Sequence, residues 1–486
     1  MKSYINKSAD SSGLPVPGSS LGRIFALILG GYVTFLLILN TVTILQNGVY
    51  IHLALVLPVT ILCFFLAKRV RFSSWAFALA IFLASFAVKG IMVYFTHTQP
   101  VSDFKGFYDF AVKLANGDKS WSKLYYFSVW AYQTGPVAYY AVLMKIFGTG
   151  LLPLKLCNCF FMAGTNALIY LTGRKIAGEE GARCSAILYL LYPAPFFLAP
   201  VLTNQHFAAF MFFTAIYLLM RTDLNIFLRG AMAGIAAAVG NVVRPIGIVV
   251  IAALIVWAII EVIRTRKTAT AGLAAVMLVT YFVSLWGISS YFTSSGISPY
   301  GLANNFPLWK FTVGFNPETM GEFSYEDQNT LFYIADKEKR DEAAKRILKE
   351  RLKGGPAKMI PFLVSKQDIM WACLDSMRWA FYEYDQEHKL VPPEGFEKVE
   401  RNILGIEKIY YTLALLILML GMFGVKKKDV NPTALFIILL LLAYFFVHLL
   451  IEVQVRYRYF AMIAVFILLS RGAQIIFDKM KLKAVK

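Results

Sequence analysis

Acidic side chains are scarce in this 486-residue chain: 29 Asp and Glu stand against 48 Lys and Arg, for a formal net charge of +19. The deficit is uneven, because the stretch 293–401 alone holds 17 of the carboxylates beside 15 of the cations. Elsewhere the surplus Lys and Arg fall in short clusters beside apolar runs. That placement suits an anionic inner leaflet and argues against nucleic acid as the partner. Cysteine and histidine are also rare, five of each. The cysteines lie mostly inside apolar runs, which excludes a disulfide framework; Cys157 and Cys159 would point in different directions on a helix. No group of His and carboxylates has the spacing of a metal site. There is no internal repeat and no cleavable signal. Residues 1–22 are polar, rich in Ser, Gly and Pro, and read as a disordered cytoplasmic tail.

What the chain has in abundance is apolar surface: 58% of residues are hydrophobic and the mean hydropathy is +0.60. Runs of roughly 18 to 24 apolar residues recur, each long enough to cross a hydrocarbon core of ~30 Å. The pattern predicts an all-α polytopic membrane protein of about twelve transmembrane helices, with external juxtamembrane helices and one mostly helical external loop region. The predicted spans are Arg23–Leu45, Tyr50–Ala67, Ser74–Thr96, Leu154–Gly173, Cys184–Pro200, Gln205–Met220, Gly230–Val243, Ile246–Ile263, Gly272–Phe292, Ile403–Val425, Ala434–Ile451 and Tyr459–Phe477. Val129–Phe147 is short and carries Gln133, Gly135, Pro136 and Lys145, so it reads as a partly re-entrant surface segment.

Clusters such as Lys68–Arg71, Arg174–Arg183, Arg264–Lys267 and Lys426–Lys428 belong inside. Both termini are then cytoplasmic, and a bacterial plasma membrane is the expected location. The predicted divisions are a membrane core over 23–292 with an external loop at 97–153, an external region over 293–402, C-terminal spans over 403–477 and a tail over 478–486. Within the external region, Ser324 to Asp327 reads as a capping box opening a helix to about Lys353. A second amphipathic helix is predicted over Lys366–Tyr384, with Trp371 and Trp379 suited to the membrane interface.

The stretch Pro100–Gly117, PVSDFKGFYDFAVKLANG, follows the third span. A helix starting near Asp103 places Asp103 and Phe107 on one face, and Phe110, Ala111 and Leu114 continue an apolar stripe. Outside 293–401, external carboxylates reduce to Asp103, Asp109, Asp118 and Glu452. Asp103 is the best placed base, at a helix start where partial positive charge keeps it ionised; an N-cap role is the plain alternative. Arg244 lies between two spans, where it could grip a phosphate or snorkel to the interface. In IEVQVRYRYF, Glu452 and Arg456 are spaced to pair on a helix, leaving Arg458 for an anion. Lys89, in the third span, could reach a lipid phosphate or snorkel. Asn204, Gln205 and His206 form a polar step, and His206 alone suits hydrogen-bonded structure better than ligation. GLANNFPLWKFTVGFN, residues 301–316, mixes aromatics with amides that suit sugar faces or membrane packing equally.

The SDF…Y…A…L…G pattern at the first large external loop resembles the GT-C superfamily of membrane glycosyltransferases, which includes protein O-mannosyltransferases and lipid A aminoarabinose transferases. WAYQTGPVAYYAVLMKIFG is similar to that superfamily's Pro-containing surface segment, and NVVRPIG to its basic residue between mid-chain spans. NNFPLWKFTVGFNPETMG is like the second external loop of Gram-positive members, and EVQVRYRYF like their E…RY motif. The resemblance implies that Asp103 is the catalytic acid position and Tyr108 its following tyrosine, with Arg244 and Arg456 near a lipid phosphate. It departs from the family in having Phe104 after Asp103, Asn204-Gln205-His206 where an acid is common, and two spans before the first large loop.

The implied activity is an inverting transfer of a sugar from a polyprenyl-phosphate donor to an envelope glycan, glycolipid or protein at the external face. Asp103 would act as base, and Tyr108, Lys89, Arg244, Glu452, Arg456, Arg458, Asn204 and His206 would bind substrate. No cofactor is implied with certainty, and a divalent cation is left open. A flippase for lipid-linked saccharides, or an envelope polysaccharide polymerase or ligase, are the rival readings.

Overall fold

The structure, a computed structural model, describes residues 20–384, 390–425 and 430–484. The predicted tail up to residue 19, the Lys426–Lys428 cluster and the last two residues lie outside the described residues. Among the described residues, ten helices are long and apolar enough to cross a membrane, with Gln205–Leu219 a shorter apolar helix. In chain order the main helices are α1 (Leu21–Gln46), α2 (Leu53–Arg69), α3 (Ser74–Phe95), α4 (Ser102–Ala115), α5 (Thr134–Phe147), α6 (Leu151–Ile176), α7 (Glu179–Leu191), α8 (Gln205–Leu219), α9 (Ile226–Val243), α10 (Gly247–Thr265) and α11 (Ala269–Ser294). They continue as α12 (Leu308–Gly314), α13 (Lys337–Arg351), α14 (Gly355–Gln367), α15 (Phe396–Phe423), α16 (Pro432–Leu450) and α17 (Arg458–Ala484).

Each predicted span falls on a helix of this set. The Cys184–Pro200 span is broken, because α7 stops at Leu191 and Pro193–Leu198 forms a separate short helix. The helix over the segment predicted to be re-entrant, α5, has 14 residues, about 21 Å at 1.5 Å per residue and too short for a ~30 Å crossing.

Apolar character all round a helix means burial among other helices. α17 shows it: its side chains from Phe460 to Leu469 are buried, and it packs against α6, α7 and α15. The outer helices instead leave large apolar side chains uncovered, among them Leu55, Phe65, Trp75, Leu79 and Trp286. Such surface suits lipid rather than water.

The described residues of 295–395 fold back onto one end of the bundle. Phe306, Trp309, Val313, Leu331 and Phe332 share a small core with Val129 and Trp130 from the stretch between α4 and α5. Ser324 does cap a turn, accepting from the Asp327 amide, but no single helix runs on to Lys353. A turn at Tyr333–Asp336 intervenes before α13. The predicted Lys366–Tyr384 helix is likewise absent: α14 ends at Gln367, a wide turn covers Asp368–Ala372, and Arg378–Phe381 is a single turn. Trp371 is 1% exposed, packed on Phe445 rather than placed at an interface.

Candidate active site

The route to the site begins where α3 ends at Phe95. An extended stretch reaches Val101, and the chain turns through Ser102, whose φ of 51° is left-handed and uncommon without glycine. That turn opens α4, whose buried face is Phe104, Phe107, Ala111 and Leu114. Asp103 sits in the first turn and is exposed. It is not the N-cap, which is Val101. Among the described residues its carboxylate makes no ion pair.

Asp103 stands at the junction of two cavities of about 710 and 580 Å³, and Tyr132, Lys310, Glu452, Arg456 and Tyr457 also line both. The larger one extends along α11, past Phe282 and Trp286. These two side chains are 58% and 73% exposed on the outward, lipid-suited surface. The smaller one extends instead beneath the 295–395 region, past Glu322, Tyr325, Gln328 and Trp379.

Arg244 enters the larger cavity from the break between α9 and α10. Its Nη1 donates to Asn204 Oδ1 at 3.0 Å, and Asn204 Nδ2 donates in turn to the Val243 carbonyl at 3.0 Å. The break is brought close by Gly135: a Cβ there would lie 1.9 Å from the Val242 carbonyl oxygen. Arg456 approaches from the segment before α17. Its Nε donates to Gln454 Oε1 at 2.6 Å, and its guanidinium lies 4.8 Å from the Trp379 ring centre and 5.2 Å from that of Phe104. Both arginines are held by neutral groups, and among the described residues neither forms an ion pair. Two guanidinium groups without an ion-pair partner among the described residues thus face one cavity, a chemistry suited to an anion.

Glu452 differs from Asp103. It is 2% exposed and paired with Lys310, and it also accepts from Gln454 Nε2 at 2.6 Å and the Tyr457 hydroxyl at 3.2 Å. Burial opposes its ionisation, yet Lys310 and Gln454 outweigh burial and hold its carboxyl below the usual range. The reciprocal effect holds Lys310 above the usual lysine range against the partial desolvation of its half-exposed side chain. Lys366 Nζ donates to the carbonyls of Gly314, Leu449 and Ile451 at 2.6–2.9 Å, tying α12 and α16 to the backbone that carries Glu452.

Of the residues singled out in the sequence, Asp103, Asn204, Arg244, Glu452 and Arg456 line one cavity. Four do not. Tyr108 lies five positions past Asp103, roughly 140° around a 3.6-residue helix. It lines another cavity beyond α4, where its hydroxyl donates to the Thr149 carbonyl at 2.8 Å. Lys89 neither snorkels nor reaches the site; it is fully buried, donating to Ser85 Oγ at 2.8 Å over the Phe196 ring. His206 is buried between the Tyr459 hydroxyl at 3.0 Å and the Leu198 carbonyl at 2.8 Å. Arg458 is not free for an anion but pairs with Asp375 at 3.2 Å beneath the site. The predicted Glu452–Arg456 pair also fails, because residues 451–454 are not helical. Lys310 is the residue the sequence reading missed. In NNFPLWKFTVGFN it stands among aromatics and amides, and nothing in its spacing marks it out. Among the described residues no group of three or more His, Cys, Asp or Glu comes together as a metal site.

Residues 134–286 match the dolichyl-phosphate-mannose-protein mannosyltransferase family. No curated protein matches the chain. Among solved structures, the archaeal oligosaccharyltransferase AglB from Archaeoglobus fulgidus, in complex with an inhibitory peptide and a dolichol-phosphate, aligns at 11% identity and a TM-score of 0.43. That alignment covers 83% of this chain and 51% of AglB, so the chain spans about half of that protein's length. The family match bears out the resemblance to the GT-C membrane glycosyltransferases.

Proposed function

We propose that this chain, a multi-pass membrane protein of the GT-C glycosyltransferase type, transfers a sugar from a polyprenyl-phosphate donor to an acceptor hydroxyl, with Asp103 as general base. The observation that carries the reading is the position of Asp103. It is a carboxylate without an ion pair among the described residues, where a cavity reaching the lipid-facing surface meets one reaching the loop region. Glu452, the other carboxylate at that junction, is fully engaged by Lys310, Gln454 and Tyr457.

The donor's phosphate lies in the larger cavity near Arg244, Lys310 and Arg456, and its tail leaves past Phe282 and Trp286 into lipid. The acceptor hydroxyl enters from the smaller cavity. Asp103 takes its proton as the oxygen attacks the anomeric carbon, and a new glycosidic C–O bond forms with inversion. The bond from the anomeric carbon to the phosphate oxygen breaks, and its electron pair leaves on the phosphate. The cations stabilise the charge that develops there. Phosphate is a good leaving group, so no separate acid is needed.

The Lys68–Arg71 and Arg264–Lys267 clusters support placing this end of the bundle on the external face of a plasma membrane. α3 alone, with 22 residues, separates the first cluster from Asp103 by about 33 Å.

The test is consumption of radiolabelled polyprenyl-phosphate sugars by proteoliposomes supplied with saccharide and Ser/Thr-peptide acceptors. Wild type cleaves one donor of the panel, and Asp103→Asn at matched expression cleaves it about 10²–10⁴-fold more slowly. Equal rates would remove Asp103 from the chemistry. Transport of intact donor across the bilayer without cleavage would replace the enzyme with a flippase.

A further inference from the structure

The smaller cavity has walls of a different chemistry from the larger one. At its mouth the aromatic rings are left open: Tyr325 is 76% and Phe323 37% exposed, edge to face at 5.1 Å. Deeper in, Trp379 is fixed between Phe104, at 5.4 Å, and the Arg456 guanidinium. These rings lie outside the long apolar helices. Large rings left open around a cavity are contact surface for a ligand.

Glu322, Gln328 and Arg378 line the same cavity. Each ends in a planar group with two or more adjacent donors or acceptors, and the three carry opposite charges or none. Such groups grip pairs of neighbouring hydroxyls, while ring faces take up the C–H surfaces between them. The volume of about 580 Å³ falls in the roughly 300–1,000 Å³ range of small-ligand sites.

An extended peptide would gain its affinity differently, by pairing its main chain with an open strand edge. The strand pair among the described residues, Glu383–Tyr384 with Leu390–Val391, is not part of this cavity, and Glu383 lines the separate one beyond α4.

We propose that this chamber is the acceptor subsite and takes a saccharide, its rings lying against Trp379 and Tyr325 and its hydroxyls held by Glu322, Gln328 and Arg378. The inference rests on the donor reading above for its catalytic meaning, but not for its binding test.

The experiment uses the full chain in lipid nanodiscs without donor. Saturation-transfer NMR is recorded with mannotriose, cellotriose and a Ser/Thr-containing nonapeptide as probes. Transfer to at least one trisaccharide, reduced at least fivefold in Tyr325→Ala and in Gln328→Ala, is the expected result. Tyr325 is exposed enough that its truncation spares the fold. Peptide binding without saccharide binding overturns the proposal, as does no binding of any probe or saccharide binding indifferent to both substitutions. Where donor is then consumed, the same substitutions raise the saccharide KM at least tenfold with a smaller change in kcat. A wild type that binds trisaccharide in this way yet consumes no lipid-linked sugar leaves the subsite standing and removes only the donor reading.

Discussion

Lys310 and Glu452 lie 142 residues apart and meet twice. Their side chains form an ion pair, and the Glu452 amide donates to the Lys310 carbonyl at 3.0 Å. The pair is lopsided: the Lys310 side chain is 39% exposed into the cavity, while that of Glu452 is 2% exposed behind it. A carboxylate in that position presents an ammonium rather than taking a proton from substrate.

Removing the lysine strands the carboxylate, so Lys310→Met loses about 1–3 kcal/mol of stability, discounted for the solvent that reaches the lysine. Lys310→Met/Glu452→Gln recovers most of that loss, because no buried charge is left unpaired. Neither variant recovers donor cleavage, since the cavity still lacks its ammonium. Thermal unfolding in nanodiscs and the cleavage assay measure the two effects separately. A double variant with normal activity would reduce the pair to structure alone.

The same pair fixes an acid limb. The Glu452 carboxyl is held below its unfolded value of about 4.3, so its contribution to stability is fully present above that pH. It is lost as pH falls through the lower folded value. Wild type therefore loses stability more steeply than Glu452→Gln below about pH 4.3 and parallels it between about pH 6 and 8. Parallel curves throughout the acid range would show that Glu452 is not ionised by its partners.

Gly135 sets how closely α5 approaches the break that carries Arg244. A Cβ there meets the Val242 carbonyl oxygen at 1.9 Å, a contact that only backbone movement relieves. Gly135→Ala costs about 1–3 kcal/mol and lowers donor cleavage by moving Arg244. Gly31→Ala is the control, since nothing lies within 4 Å of a Cβ at that position. Equal melting temperatures and activities for the two variants would dissociate this packing from the site.

The membrane architecture was legible because apolar runs long enough to span leave few alternatives. Asp103 was legible through scarcity, since so few carboxylates fall near the ends of the spans. What spacing could not supply was pairing at a distance. Lys310 is one of 15 cations in 293–401, and only the folded chain brings it to Glu452. The expected Glu452–Arg456 pair assumed a helix, but the Glu452 and Val453 amides bond instead to the carbonyls of Lys310 and Gly321 at 3.0 and 2.9 Å. Ser85 lies one turn from Lys89 on the same helix, but no sequence spacing sets the Phe196 ring under Lys89 or brings Leu198 and Tyr459 to His206. The open rings at Phe323 and Tyr325 flank Ser324, where the sequence reads only as the start of a helix, so their shared cavity with Asp103 was hidden.

Arg456 and Arg458, two positions apart, separate chemistry from structure. Arg456 faces both cavities, and among the described residues it forms no ion pair. Arg456→Gln thus lowers donor cleavage by about 10²–10³-fold, as loss of a charge-stabilising group does. It costs about 1 kcal/mol or less of stability, the scale of a lost cation–π contact. Arg458 is 2% exposed and pairs with Asp375 close to Glu407, which is itself fully buried. Arg458→Gln leaves buried acidic groups without their cation and costs about 3–5 kcal/mol, visible as a lower melting temperature. Asp375 lies four residues before Trp379 in the same short segment, so the Arg458 variant loosens the chamber wall and loses cleavage only through that disorder. At a temperature where it is still folded, Arg458→Gln therefore retains more cleavage than Arg456→Gln. The opposite order would place Arg458, not Arg456, at the leaving phosphate.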